Sequence, residues 1–183
     1  MKTLKITLSL KSFLLISLIL IVNFASGQST SKDKKMVIDS KDAKNEFMKT
    51  DPSMTKLFSN SYAYVIFPNV GKGGIGVGGA FGNGIVFKNN NPIGSAKLSQ
   101  VSIGLQIGGQ GYREVIFFEN KSNLDEFEKN NLKLSAQVSA VIAASGASAN
   151  ANYANGILIF TQTKGGLMYE VSVGGQTFNY EKF

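Results

Sequence analysis

Between Tyr62 and Phe87 the chain packs eight glycines into fourteen residues: Gly71, Gly73, Gly74, Gly76, Gly78, Gly79, Gly82 and Gly84. Glycine this dense ordinarily marks loose chain, yet Ile75, Val77, Phe81, Ile85 and Phe87 are β-formers at odd positions, with mostly glycine at the even ones. A period of two predicts strand, with side chains on one face and little on the other. A bare face lets another backbone, a helix or a ligand come very close. Gly73, Gly74, Gly76, Gly78 and Gly79, with Gly108 and Gly109 further on, are the candidate close-approach positions. The apolar run Tyr62 to Phe67 opens the stretch as a strand, and Pro68 is expected to close it.

The rest of the chain supplies more strand than helix. Asp39-Ser40 offers an N-cap to a short basic amphipathic helix, with Ala43, Phe47 and Met48 on one side and Lys41, Lys44, Asn45 and Lys49 on the other. Asp51-Pro52 then opens a second helix to about Ser59, burying Met54, Leu57 and Phe58. Lys88 to Pro92 reads as a turn, and strands are expected from Ile93, through Val101 to Ile107, and at Arg113 to Glu119. Ser122 caps a helix of about eight residues carrying Leu124 and Phe127. Leu132 to Ala143 alternates as a strand, with helix as the rival because alanine is plentiful, and Ala144 to Asn155 reads as a loop. Gly156 to Thr163 and Leu167 to Gly174 form a hairpin across Lys164-Gly165-Gly166, and Thr177 to Tyr180 adds a last strand. Val77-Gly78-Gly79, Ile107-Gly108-Gly109 and Val173-Gly174-Gly175 mark three bends of a curved sheet. The fold class that follows is α+β: a mainly antiparallel, strongly curved, half-barrel-like sheet with two short N-terminal helices and one internal helix.

Residues 1–27 read as a secretory signal peptide. Lys2, Lys5 and Lys11 precede the apolar run Phe13 to Val22, and Ala25-Ser26-Gly27 offers a cleavage site; a retained anchor is the rival. Residues 28–35 read as a flexible lead-in and 36–183 as one domain. A chain this long needs no staples, which agrees with its lack of cysteine and points to a bacterial periplasmic or secreted protein. The formal charge of +7 falls to +4 once the three leader lysines are gone. No acid lies between Asp51 and Glu114, while Lys56, Lys72, Lys88, Lys97 and Arg113 do. That interval is biased toward anionic partners, against the plainer reading of a solvated face.

Catalytic classes are largely excluded. With neither histidine nor cysteine the Ser-His-Asp, Cys-His and common zinc sites cannot form, so no metal and no cofactor is expected. Gly71-x-Gly73-x-x-Gly76 fits the dinucleotide pattern, but a strand follows where a helix is required, and no acid comes until Glu114. Basic residues are too few and too dispersed for nucleic acid.

Three segments together carry a family resemblance. Tyr64-Val65-Ile66-Phe67-Pro68 with Gly73 to Gly79 and Gly82-x-Gly84, then Ser102 to Gln110, then Lys164-Gly165-Gly166-Leu167 with Val171 to Gly175, resemble in order the SYLF-domain family of lipid-binding proteins. The resemblance runs from about Lys35 to Tyr180. It implies one non-catalytic membrane-binding domain, with phosphoinositides as ligands of eukaryotic members that often add SH3 or FYVE modules and connect to actin; no such module fits in this chain. Bacterial relatives are exported, so anionic phospholipid in general is the implied ligand. The family's lipid contacts follow no short motif, so the sites are chosen on charge and hydrophobicity. Lys72, Lys88, Lys97 and Arg113, with Lys41, Lys44 and Lys49, are the candidate headgroup contacts. Phe47 and Met48 are the candidates for shallow insertion, with a core role as the rival reading. Two other functions remain open: an envelope protein whose sheet packs against a protein partner, and a small integral outer-membrane barrel.

Overall fold

The computed structural model describes residues 31–75, 77–103, 109–134, 141–142, 144–164 and 175–183. The signal segment, Gly76, Gly108 with the rest of 104–108, the middle of the expected 132–143 strand and the expected strand at 167–174 lie outside them. The chain divides into two compact units, Met1–Lys35 and Met36–Phe183, and the second holds the fold. Residues 31–50 are helical, and the part in the second unit, 36–50, is α1. α2 spans Met54–Asn60 and α3 Lys121–Glu128. The strands are β1 Ala63–Ile75, β2 Val77–Lys88, β3 Asn91–Ile103, β4 Gly109–Phe118, β5 Lys133–Leu134, β6 Val141–Ile142, β7 Ile157–Thr163 and β8 Gln176–Lys182. They form one sheet in the order β5-β8-β3-β2-β1-β4-β7-β6, antiparallel except for the β6–β7 pair.

Several local expectations are corrected. The first helix begins well before Asp39, because residues 31–40 contain no glycine or proline and Ser40 turns inward, buried, instead of capping. The expected lead-in is therefore helical over 31–35. Pro68 does not end β1. Pairing skips between Ile66 and Asn69 toward β2, and between Phe67 and Val70 toward β4, so a bulge absorbs the proline's missing N–H. The α3 cap is Asn120, whose side chain accepts from the Asn123 N–H, rather than Ser122. The β2–β3 turn falls where expected: Asn89 and Asn90 have φ of 50° and 62°, the two left-handed residues a tight twisted hairpin needs.

Alternation along each strand sorts the core into two clusters. Val65, Phe67, Val70, Ile116, Phe118 and Phe178 face one side with Leu124 and Phe127 of α3. Tyr64, Ile66, Ile85, Val115, Phe117 and Phe160 face the other, under Phe47 of α1 and Met54 and Phe58 of α2. The first side is concave. β4 and β8 stand four places apart in the sheet, roughly 19 Å if it were flat, yet the Gln176 side chain reaches Glu114 at 3.0 Å. Phe67 on β1 and Phe178 on β8 have ring centroids 5.9 Å apart. The sheet therefore curls around the first cluster as a half-barrel. Glycine permits the tightest part: a Cβ on Gly84 would stand 2.4 Å from the Ile66 carbonyl oxygen, directly at the bulge. The barrel alternative expects a closed sheet with a lipid-facing outer band. Among the described residues the sheet ends in the two-residue strands β5 and β6, and helices cover part of its outer face.

Candidate functional site

The convex face has two halves. Near the β2–β3 turn it is apolar and lies beneath α1 and α2. Beyond the bulge the side chains change, and register lays them out in rows. The first row past the helices runs Asn179, Lys97, Asn83 and Asn69 across β8, β3, β2 and β1, with Arg113 and Gln162 beside it on β4 and β7. The next runs Thr177, Ser99, Phe81, Gly71 and Gly111, and the Lys164 N–H donates to the Gly111 carbonyl at its end. The next is Val101, Gly79, Gly73 and Gly109, and the register ends in a row of Ile103, Val77 and Ile75.

No described element covers this half. A Cβ placed on Gly71 or Gly111 would meet nothing within 4 Å. Phe81 is 66 % exposed and Val101 71 %, although both are apolar and sit in strands. The Phe81 ring leans over Gly79, 3.2 Å from where a Cβ would lie, so glycine gives the aromatic a floor to rest on. Three cations border these two side chains. Lys97 is exposed on β3, two residues from the partner of Phe81. Arg113 donates to the Gln162 side chain at 3.1 Å, and Gln162 in turn donates to Thr50 at 2.5 Å and to the Glu46 carbonyl, which ties the guanidinium to the end of α1. Lys164 donates to Asn69 at 2.8 Å. The Lys164 ammonium is held below its usual range by partial burial first and by the Arg113 charge second, with Asp39 opposing. Arg113 and Lys164 thus repel each other while each is held by a neutral amide. An anion placed between them would relieve that repulsion.

The predicted headgroup residues do not form one group. Lys97 and Arg113 share the bare face, and Lys164, which sequence reasoning left in a turn, joins them. Lys72 lies on the concave face by alternation from Val70, half-exposed. Lys88 donates to the Tyr62 hydroxyl at 2.7 Å and sits over that ring, at the opposite end of the sheet. Lys44 is a structural residue: its ammonium donates to Tyr64 and Asn90, lies over the Phe58 and Tyr64 rings, and is lowered in pKa by burial. From Phe81 to Phe87 is about 20 Å of strand, which separates these lysines from the bare face. Lys41 and Lys49 are exposed on α1. Phe47 is fully buried in the second core cluster, and Met48 packs against it half-buried, so the insertion pair is corrected to core. Of the predicted glycines, Gly73, Gly74, Gly78, Gly79 and Gly109 pair with one another across β1, β2 and β4. A Cβ would come within 3.0 Å of another atom at Gly82, Gly84, Gly94 and Gly156. Phe81 could have been found as a large apolar residue with Gly79 and Asn83 at i±2, so that no apolar neighbour on its face of the strand shares a core with it.

Comparison with known proteins agrees with the resemblance read above. Residues 99–182 match the family model Ysc84, described as Las17-binding protein actin regulator. A relative, beta cell expansion factor A of Aeromonas veronii, is 26 % identical over 132 residues, 72 % of this chain and 50 % of that protein. The chain thus spans about half the length of that relative. The matched residues take in the end of β3 with β4, β7 and β8, but not β1 or β2, and over residues 99–182 the chain is similar to the Ysc84 or SYLF family.

Proposed function

We propose that this protein is a non-catalytic, peripheral binder of anionic phospholipid at an exported envelope location, and that it meets the bilayer with the bare half of its convex face. The observation that carries this reading is the pair of exposed apolar side chains, Phe81 and Val101, on a glycine floor bordered by Lys97, Arg113 and Lys164. The glycine floor around them lets these two side chains enter the headgroup region without backbone clash. Three basic groups near an anionic surface contribute about 1 kcal/mol each. Burying Phe81 adds about 2 kcal/mol. The total, about 5 kcal/mol, corresponds to reversible, sub-millimolar attachment, as expected for a peripheral protein.

The test is co-sedimentation with neutral and anionic vesicles at low and physiological salt. Pelleting is expected with anionic vesicles alone, weakening as salt screens the charges. Reversing Lys97, Arg113 and Lys164 to Glu together should weaken binding by more than about 100-fold at low salt, whereas reversing Lys44 and Lys88 should not change it beyond any effect on folding. Absence of pelleting under every condition would sink the lipid reading and leave a protein partner as the occupant of this face.

A further inference from the structure

The concave side of the sheet holds a polar cluster that the convex surface does not explain. Glu114 on β4 is fully buried, and so are Tyr112 two residues before it, Thr161 opposite it on β7, and Gln176 on β8. Gln176 is the first residue of β8, and its side-chain amide donates to Glu114 Oε2 at 3.0 Å. That bond crosses the open side of the half-barrel between strands that are not neighbours in the sheet. Next to it the Phe178 ring packs on Phe67 and Phe127, so beyond its ladders with β3 and β5, and the Tyr180 N–H bond to Asn130, β8 is tied across the concave side by an apolar clasp and the Gln176–Glu114 contact. Among the described residues Glu114 Oε1, Gln176 Oε1 and Thr161 Oγ1 are buried without a hydrogen-bond partner, and the Tyr112 hydroxyl lies beside Gln176.

We propose that the Glu114–Gln176 contact is a proton-operated latch: with Glu114 protonated β8 stays closed over the concave face, and ionisation of Glu114 releases it. The chemistry facing the carboxyl supports this. From β4 comes Tyr112, from β7 Thr161, from β8 Gln176, from β3 its strand partner Gln100 and from β1 Phe67; tyrosine is the one titratable group among them, and it is neutral. Lys72 lies on the same face, but its strand partner Gln110 is four residues along β4 from Glu114, about 13 Å. Among the described residues a carboxylate here would have the neutral Gln176 amide as donor and no cation in contact, and burial pushes the Glu114 carboxyl up to about 7, with the Gln176 hydrogen bond opposing. The neutral acid fits the closed form and the anion fits the hydrated, open one.

The sign follows. The closed form holds a proton that the open form releases once pH passes the ordinary carboxyl value of 4.5. Closure is therefore complete at low pH, and the open fraction rises about tenfold per pH unit, up to about 300-fold, before levelling near pH 7. The proposal does not depend on what binds the convex face. Amide hydrogen exchange of β8 in the whole protein tests it, compared at each pH with Glu114→Gln, which cancels the intrinsic exchange chemistry. The wild-type chain should lose protection in β8 relative to the variant between pH 5 and 7 and then run parallel to it. A constant ratio between the two across this range would overturn the latch. Should the variant fail to fold, carboxyl NMR of the wild-type chain decides. One glutamate titrating near 7 together with β8 exchange supports the proposal, and every carboxyl titrating below about 5.5 overturns it.

Discussion

The convex face sets two treatments of one sheet side by side. Near the β2–β3 turn it presents Tyr64, Ile66, Ile85, Val115, Phe117 and Phe160, and two helices bury them. Beyond the Pro68 bulge the same strands present glycine, asparagine, serine, Phe81 and Val101, and no described element covers them. Both halves carry aromatics, but those in the first half touch one another. Phe58 meets Tyr64 edge-on at 5.1 Å and Phe117 at 4.9 Å, and Tyr64 stacks on Phe87 at 5.3 Å. In the second half the Phe81 ring leans over Gly79. Mutual contact makes an aromatic a stability residue, and isolation on a bare floor leaves its apolar surface for a partner. The comparison is broken most directly by truncating one aromatic in each half. Phe47→Ala removes a fully buried ring that plugs α1 onto the sheet and should destabilise by about 3–5 kcal/mol in urea unfolding. Phe81→Ala should stay within about 0.5 kcal/mol of wild type, yet lower vesicle binding measurably. Equal stability losses at the two positions would mean that the bare half is packed after all.

The strands β1, β2, β4, β7 and β8 and the Asn89-Asn90 hairpin were legible in the sequence because each depends on neighbours along the chain. Gly82 and Gly84 do face the bulged β1, as the bare even positions implied. The site was less legible, for two physical reasons. The Pro68 bulge reverses which residues of β1 face out, putting Gly71 and Gly73 on the convex side where unbroken alternation from Val65 would have turned them inward. Strand order does the rest. β4 pairs with β1 rather than with β3, its sequence neighbour, and this places Lys97 and Arg113 on opposite flanks of Phe81 and brings Lys164 alongside. A list of lysines carries no such information, so Lys44 and Lys88, bound to tyrosines at the far end, looked equivalent to Lys97. Phe47 was misread because an amphipathic basic helix at the surface and one laid on a sheet share the same periodicity.

A second, smaller contrast concerns the two buried carboxyls. Glu114, on the concave side, is pushed up by burial with one hydrogen bond opposing. At Asp51, on the helix-covered side, burial also pushes upward. Hydrogen bonds from the Ser148 N–H at 2.7 Å and the Ser53 N–H at 3.0 Å, joined by Gly146, outweigh it and hold the carboxyl below its ordinary value. Asp51 thereby ties the α1–α2 junction to the short 3-10 turn Ala147–Asn150. Its contribution is present above the unfolded aspartate value of 3.8 and is lost as pH falls through the lower folded one. Asp51→Ala should cost about 1–3 kcal/mol at neutral pH, because it strands the Ser148 donor. It should also remove the part of the acid unfolding limb that lies below pH 4. A variant whose acid limb matched that of the wild-type chain would assign that limb to other carboxyls.

The smallest expected effect separates the occupants of the bare face. Gly71 and Gly111 are open above and show no left-handed φ, so alanine fits at either position without strain. Gly71→Ala with Gly111→Ala should leave stability unchanged or raise it by about 0.5–1 kcal/mol per site, through the reduced freedom of the unfolded chain. Two methyl groups mean little to a bilayer, whose headgroups and chains rearrange around them. Vesicle binding by the double variant should therefore match that of the wild-type protein. A protein partner that laid its own backbone against the glycine floor would be held off by the same methyls, since packed surfaces tolerate little added volume. If the double variant folds with full stability and still pellets with anionic vesicles, the floor serves to keep the surface flat around Phe81 and Val101. If it folds and no longer pellets, the glycines themselves are contact positions, and the surface is built for something more rigid than lipid.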